Sequence, residues 1–182
     1  YPDIELDFQL TDNFVDIIRE GFDLAIRIGE LQDSSLVARK LAPDNRVICA
    51  APAYLERQGT PKTIADLDAH VCLSAGAQDA WRLEGPEGQR QARVKGNIRS
   101  NSAELLREAL LSGLGLGLRG TWEVSREIAA GTLVAVMPQY RGSSSGAIWA
   151  VYPSREFMPA KVNVFIEFLA ELYGVEPYWE KG

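Results

Sequence analysis

The chain has 182 residues, 46% of them hydrophobic and 24% charged, an ordinary globular composition with enough length to bury a core without disulfide or metal staples. Acidic residues number 25 against 19 lysines and arginines, a net charge of -6 with no run of basic residues. The footprint of nucleic-acid binding is therefore missing, and any DNA contact is expected outside this chain. No apolar run approaches the roughly 18 residues of a membrane span, and the start at Tyr1-Pro2-Asp3 carries no leader pattern and reads as a cut inside a longer protein.

Ile4, Leu6, Phe8 and Leu10 alternate with polar residues, the period of a strand with one buried face. Thr11, Asp12 and Asn13 are capable N-caps, and Phe14, Ile17 and Ile18 follow at helical spacing before Gly21, which predicts a short helix. Residues 22–28 are apolar enough for a strand covered on both faces. Residues 36–41 and 46–51, separated by Pro43-Asp44-Asn45, are expected to form a hairpin. Two short helices follow at 53–57 and 64–68, broken by Gly59-Thr60-Pro61, and then short strands at 71–73, 81–83 and 92–94.

At Asn101 the pattern turns helical, with Glu104 in a capping-box relation and Leu105, Leu106, Ala109 and Leu110 on one face up to Gly113. A glycine-interleaved strand at 114–118, a helix at 122–130 and a strand at 133–137 come next. A flexible loop at 141–146 leads to a strand at 147–152. The last helix starts at Pro159 and carries Val162, Phe165, Ile166, Leu169, Leu172 and Tyr173 as a stripe, after which the tail is expected to fray. Strands alternating with helices indicate an α/β fold with a largely parallel sheet. The β-rich middle suggests two lobes crossed twice, near Ala50-Ala51-Pro52 and near Gly146, with a cleft suited to a ligand.

Two motif matches point towards enzymes and fail on context. Gly142-Ser143-Ser144-Ser145-Gly146 fits G-x-S-x-G, but a nucleophile elbow joins a strand to a helix, whereas this loop runs into a strand. Gly115, Gly117 and Gly120 fit G-x-G-x-x-G, but lie within and just after a strand rather than following one. They read instead as places where a neighbouring backbone comes close while Leu114, Leu116 and Leu118 fill the core. His70, the only histidine, has no evident nucleophile partner. Cys49 and Cys72 sit in apolar stretches without metal-ligand spacing and read as buried thiols in a reducing cytoplasm. Binding candidates are Ser100, Asn101 and Ser102, hydroxyl and amide groups at a helix start where plain capping is the simpler role. The end of the strand at Leu118 and Arg119, opening another helix, is a second candidate. Arg27 is a third, an arginine in an apolar strand that otherwise projects to solvent.

Taken in order, Phe22-Asp23-Leu24-Ala25-Ile26-Arg27-Ile28-Gly29, Asp33-Ser34-Ser35-Leu36-Val37-Ala38-Arg39-Lys40-Leu41-Ala42-Pro43, Ala51-Pro52-Ala53-Tyr54-Leu55, Ser100-Asn101-Ser102, Gly113-Leu114-Gly115-Leu116-Gly117-Leu118 and Ala150-Val151-Tyr152-Pro153-Ser154-Arg155 resemble the effector-binding domain of LysR-type transcriptional regulators. The resemblance spans nearly the whole chain. It implies an α/β, type 2 periplasmic-binding-protein-like fold of two lobes, with residues 1–51 plus 147–182 as lobe I and 52–146 as lobe II. A small-molecule effector would lie between them, against Arg27, Ile28, Gly29, Ser100, Asn101, Ser102, Leu118 and Arg119. The resemblance also implies a cytoplasmic dimer or tetramer without cofactor, metal or catalysis. DNA would be bound only through a winged helix-turn-helix head preceding this region, and the first strand and helix of lobe I would likewise lie upstream. Arg27 and Arg119 make a carboxylate effector the natural candidate. The rival readings are an extracytoplasmic solute-binding protein of the same fold and a prephenate-dehydratase-like enzyme, the latter lacking an acid, base and nucleophile in the cleft segments.

Overall fold

In a computed structural model, residues 3–11, 13, 15–31, 35–76, 79–153 and 158–181 are described. Asp12, Phe14, Asp33, Ser34, Ser154 and Arg155, on which parts of the sequence reading rest, lie outside them. The chain divides into two compact units, Tyr1–Pro43 with Gly146–Tyr178 and Asp44–Ser145 with Trp179–Gly182.

In unit 1, β11 (Ala147–Pro153) pairs antiparallel with both β1 (Ala25–Gly29) and β2 (Leu36–Pro43) and, among the described residues, is what joins them into one sheet. Helix α4 (Ala160–Tyr173) contacts β2. It buries Val162, Ile166 and Leu169, leaves Phe168 and Leu172 half exposed, and is tied to β2 by a two-bond Arg39–Glu167 ion pair at 2.6 and 3.0 Å. Among the described residues, three expectations fail here. Residues 4–10 are in no ladder and Leu6, Phe8 and Leu10 are exposed, because alternation specifies which face a strand would bury but supplies no partner for its backbone. The helix before Gly21 is reduced to a turn over residues 17–21, with Glu20 N–H donating to Asp16 at 3.0 Å and Phe22 N–H to Ile17 at 2.9 Å. β1 is an edge strand with Ile26 and Ile28 exposed, not one covered on both faces.

Unit 2 holds β3 (Arg46–Ala50), α1 (Pro52–Gln58), a 3-10 helix (Ile64–Ala69), β4 (Cys72–Ala75), β5 (Ala80–Gly85), β6 (Gly88–Arg93), β7 (Arg99–Ser100), α2 (Ala103–Leu111), β8 (Leu116–Gly120), α3 (Thr121–Ala129), β9 (Val134–Val136) and β10 (Arg141–Gly142). Its main sheet has the order β7-β4-β8-β3-β9, and β10-β5-β6 form a second sheet. One core gathers Ile48, Tyr54, Leu67, Trp81, Leu83 and Leu116 among others, and another joins Cys49, Leu106, Leu110, Val124 and Leu133.

The β2–β3 hairpin is not formed. The chain passes from unit 1 to unit 2 at Pro43/Asp44, so the turn residues there redirect β3 into the main sheet between β8 and β9. The sheet is also not largely parallel. Only β4 with β7 and β4 with β8 run parallel, because strand–helix alternation does not fix the direction of a strand that enters from another unit. The loop at 141–146 contributes β10 to β5. The glycine reading holds only in part: a Cβ on Gly115 would come within 2.6 Å of the Val71 carbonyl oxygen, but Gly117 is approached by a side chain, 2.9 Å from Leu110 Cδ1, and of the three leucines Leu116 is buried and Leu118 half-buried while Leu114 is exposed.

Candidate functional site

The N-terminus of α2 is built by serines on both sides of Asn101. Ser102, rather than Asn101, is the N-cap: its Oγ accepts from the Leu105 amide at 3.2 Å. Ser100 Oγ accepts from the Ser102 amide at 3.0 Å, and the Ser100 carbonyl takes the Gly76 amide at 2.8 Å, so the segment is pinned to the end of β4. A serine one residue later wins the cap because its short hydroxyl reaches the third amide of the turn. Asn101 between them is exposed.

β8 delivers Leu118 and Arg119 to the same end of unit 2. Leu118 pairs with Ile48 and is half-buried; Arg119 is 8% exposed. One guanidinium nitrogen, Nη2, donates to the Ala103 carbonyl at 3.2 Å in the first turn of α2 and is also paired with Glu123 of α3, while Nε is buried and has no hydrogen-bond partner among the described residues. Burial pushes the Glu123 carboxyl above the ordinary glutamate range, against the pull of the Arg119 hydrogen bond and charge and of Arg46. A second pair, Arg107 with Glu127, links α2 to α3. Ser100, Ser102, Leu118 and Arg119 are thus gathered at one place in unit 2.

The other predicted residues lie in unit 1. Arg27 is half-buried in β1 and donates from Nη2 to the Val15 carbonyl at 2.8 Å. Ile28 is 43% exposed, and Gly29 ends the strand at a φ of 120°, with its carbonyl accepting from Trp149 Nε1 at 3.1 Å. That φ suits glycine and keeps the carbonyl turned towards the indole.

Glu123 and Glu127 were not foreseen as part of this arrangement. The only signal for the first is the four-residue spacing from Arg119, which the strand-to-helix junction between them disguises. The arrangement offers hydroxyls, helix-start amides and guanidinium donors, which can bind polar groups but do not activate a nucleophile. His70 is engaged elsewhere: its Nδ1 is 3.1 Å from the Tyr54 hydroxyl, which also accepts from the Val71 amide at 3.0 Å. Ser143 and Ser145 bond each other at 3.2 Å in a segment that leads into β11, so the elbow context is absent. Among the described residues, no group of histidine, cysteine, aspartate and glutamate is arranged to hold a metal ion. No helix of the described residues is long and apolar enough to cross a membrane.

Residues 1–174 match the family model described as the LysR substrate binding domain. The chain belongs to this family. It is 41% identical over 177 residues to the HTH-type transcriptional regulator DmlR of Escherichia coli (strain K12), a match covering 95% of the chain and 57% of DmlR. Among solved structures, the LysR-type regulator CrgA of Neisseria meningitidis superposes with a TM-score of 0.81 at 31% identity, covering 94% of the chain and 59% of CrgA. The full-length Vibrio cholerae virulence activator AphB gives a TM-score of 0.80 at 26% identity, with 94% and 59% covered. The LysR domain described here therefore has the α/β, type 2 periplasmic-binding-protein-like fold of those regulatory domains, and it spans little more than half the length of the relatives it matches. The relatives named here are transcriptional regulators, and nothing in them supports the solute-binding alternative.

Proposed function

We propose that this domain senses a small-molecule effector on behalf of a LysR-type transcriptional regulator, a cytoplasmic dimer or tetramer whose DNA contacts are made by a winged helix-turn-helix segment outside the chain. The effector contacts are Ser100, Asn101, Ser102, Leu118 and Arg119 in unit 2 and Arg27, Ile28 and Gly29 in unit 1. Family membership supports this reading, and the observation that carries it is the α2 start, where two serines and a buried arginine with an unused Nε converge. Binding shifts the population of two domain states, which the oligomer passes to its DNA-binding segments; no bond is broken. An effector bearing a carboxylate suits the guanidinium and amide donors.

The test is calorimetry of small organic acids against the whole regulator. A hydrogen bond to a charged group contributes about 1.5 to 3 kcal/mol, so Arg27→Ala is expected to weaken an anionic effector by about 10- to 150-fold. An unchanged affinity removes Arg27 from the site. Chemical turnover of the bound acid sinks the sensor reading altogether.

A further inference from the structure

Within unit 2, Arg119 and Glu123 form the most enclosed ion pair among the described residues, each side chain 9% exposed. Glu123 is also the one carboxylate that Arg119 meets there. The neighbouring arginines are committed elsewhere: Arg107 is bridged to Glu104, Glu108 and Glu127, and Arg46 to Asp44. All three guanidiniums nevertheless attract the Glu123 carboxylate. It lies in the first turn of α3, where the helix dipole adds to that attraction. A carboxylate is thus the group that this place is built to hold.

The fit of Glu123 is incomplete. Nε and Nη2 of a guanidinium lie along one edge and suit a carboxylate presented side-on. Arg46 uses both, each 2.8 Å from Asp44 Oδ2. Arg119 offers the same edge, but Glu123, tethered to α3, takes only Nη2 and shares it with the Ala103 carbonyl. Nε stays buried with no hydrogen-bond partner among the described residues. Burial also holds the Glu123 carboxyl above the ordinary glutamate range despite the arginines around it, so the side chain recovers hydration when it turns out to solvent.

We infer that Glu123 is a resident stand-in at a carboxylate site on Arg119: an incoming small carboxylate binds by exchange, taking Nε and Nη2 together while Glu123 turns to solvent. The untethered carboxylate satisfies the nitrogen that Glu123 leaves bare. Removing Glu123 with nothing in its place strands a buried guanidinium, which is strongly destabilising, so a foreign carboxylate is drawn in. The inference rests on the sensing role for its natural ligand, whereas the site itself belongs to β8, α2 and α3 and is tested without one.

Thermal unfolding of the whole chain tests it with acetate as the probe, against chloride at equal ionic strength so that screening cancels. Glu123→Ala empties the place, and acetate at about ten times its apparent Kd is expected to raise that variant's melting temperature by about 3 to 5 °C over chloride. The parent, its place filled, is expected to shift by less than half as much, and Glu123→Ala combined with Arg119→Met not at all. No acetate-specific rise in Glu123→Ala overturns the inference. An equal rise in the parent or in the double variant does so too, because the acetate then sits elsewhere. Should Glu123→Ala fail to fold in chloride, folding restored by acetate supports the inference; if neither salt restores it, Glu123→Ser is judged by the same criteria. Rescue of Glu123→Ala alongside a parent regulator that binds no organic acid upholds the site and counts against the sensing role alone.

Discussion

Arg119 is tied at once to a helix carbonyl and to Glu123, whose carboxyl is held above its usual range chiefly because it is buried. A raised carboxyl pKa has a definite sign in stability. The contribution is fully present below the unfolded value, about 4.3 for glutamate, and is lost as pH rises through the folded value. Glu123→Gln cannot titrate, so the unfolding free energy of the parent, measured against that of the variant in urea, is expected to decline between pH 4 and neutrality; a constant difference across that range removes the argument. Sequence showed the arginine because it closes a strand that opens a helix, where N-terminal amides can meet an anion. Its partner stayed hidden because a glutamate on an amphipathic helix looks like any solvated residue until the junction folds it inward. Gly96 was equally invisible: a Cβ there would stand 1.9 Å from the Cys72 carbonyl oxygen, a close approach that no turn motif announces.

Helix α2 shows how far periodicity carries and where it stops. Leu106, Ala109 and Leu110 are buried as their spacing demands, but the cap fell to Ser102, one residue later than the capping-box pattern at Asn101 suggests. Either side chain can cap, and the choice is made by the Ser100–Ser102 turn, a geometry that spacing does not encode. Ser102→Ala is expected to cost about 1 kcal/mol of stability, read from chemical denaturation; an unchanged stability contradicts the assignment. The two-residue strands β7 and β10 are shorter than any alternation can register. The supposed β2–β3 hairpin had correct strands and correct turn residues, and failed only because the partners lie in different units. Local chemistry names the turn, but the pairing is decided by long-range packing.

Across the whole molecule, the order of motifs carried the family and the fold, and the return of the tail to unit 2 was missed because its short run of Pro177, Tyr178 and Trp179 has no period. If the domain is a sensor, an effector present at about 100 times its Kd stabilises the folded chain by about 2.7 kcal/mol. Thermal unfolding with and without a calorimetric hit checks this, and a binder that leaves the melting temperature where it was does not occupy a folded site.

The place of β11 in unit 1 has a further consequence for how the polypeptide is made. Among the described residues, β1 and β2 have no ladder with each other and meet through β11, which is synthesised about a hundred residues after β2. Asp44–Ser145 is by contrast almost the whole of unit 2 in one uninterrupted stretch. On the ribosome, that continuous stretch can collapse while it is still emerging, whereas the ladders of β1 and β2 with β11 can form only once the central strand has been made.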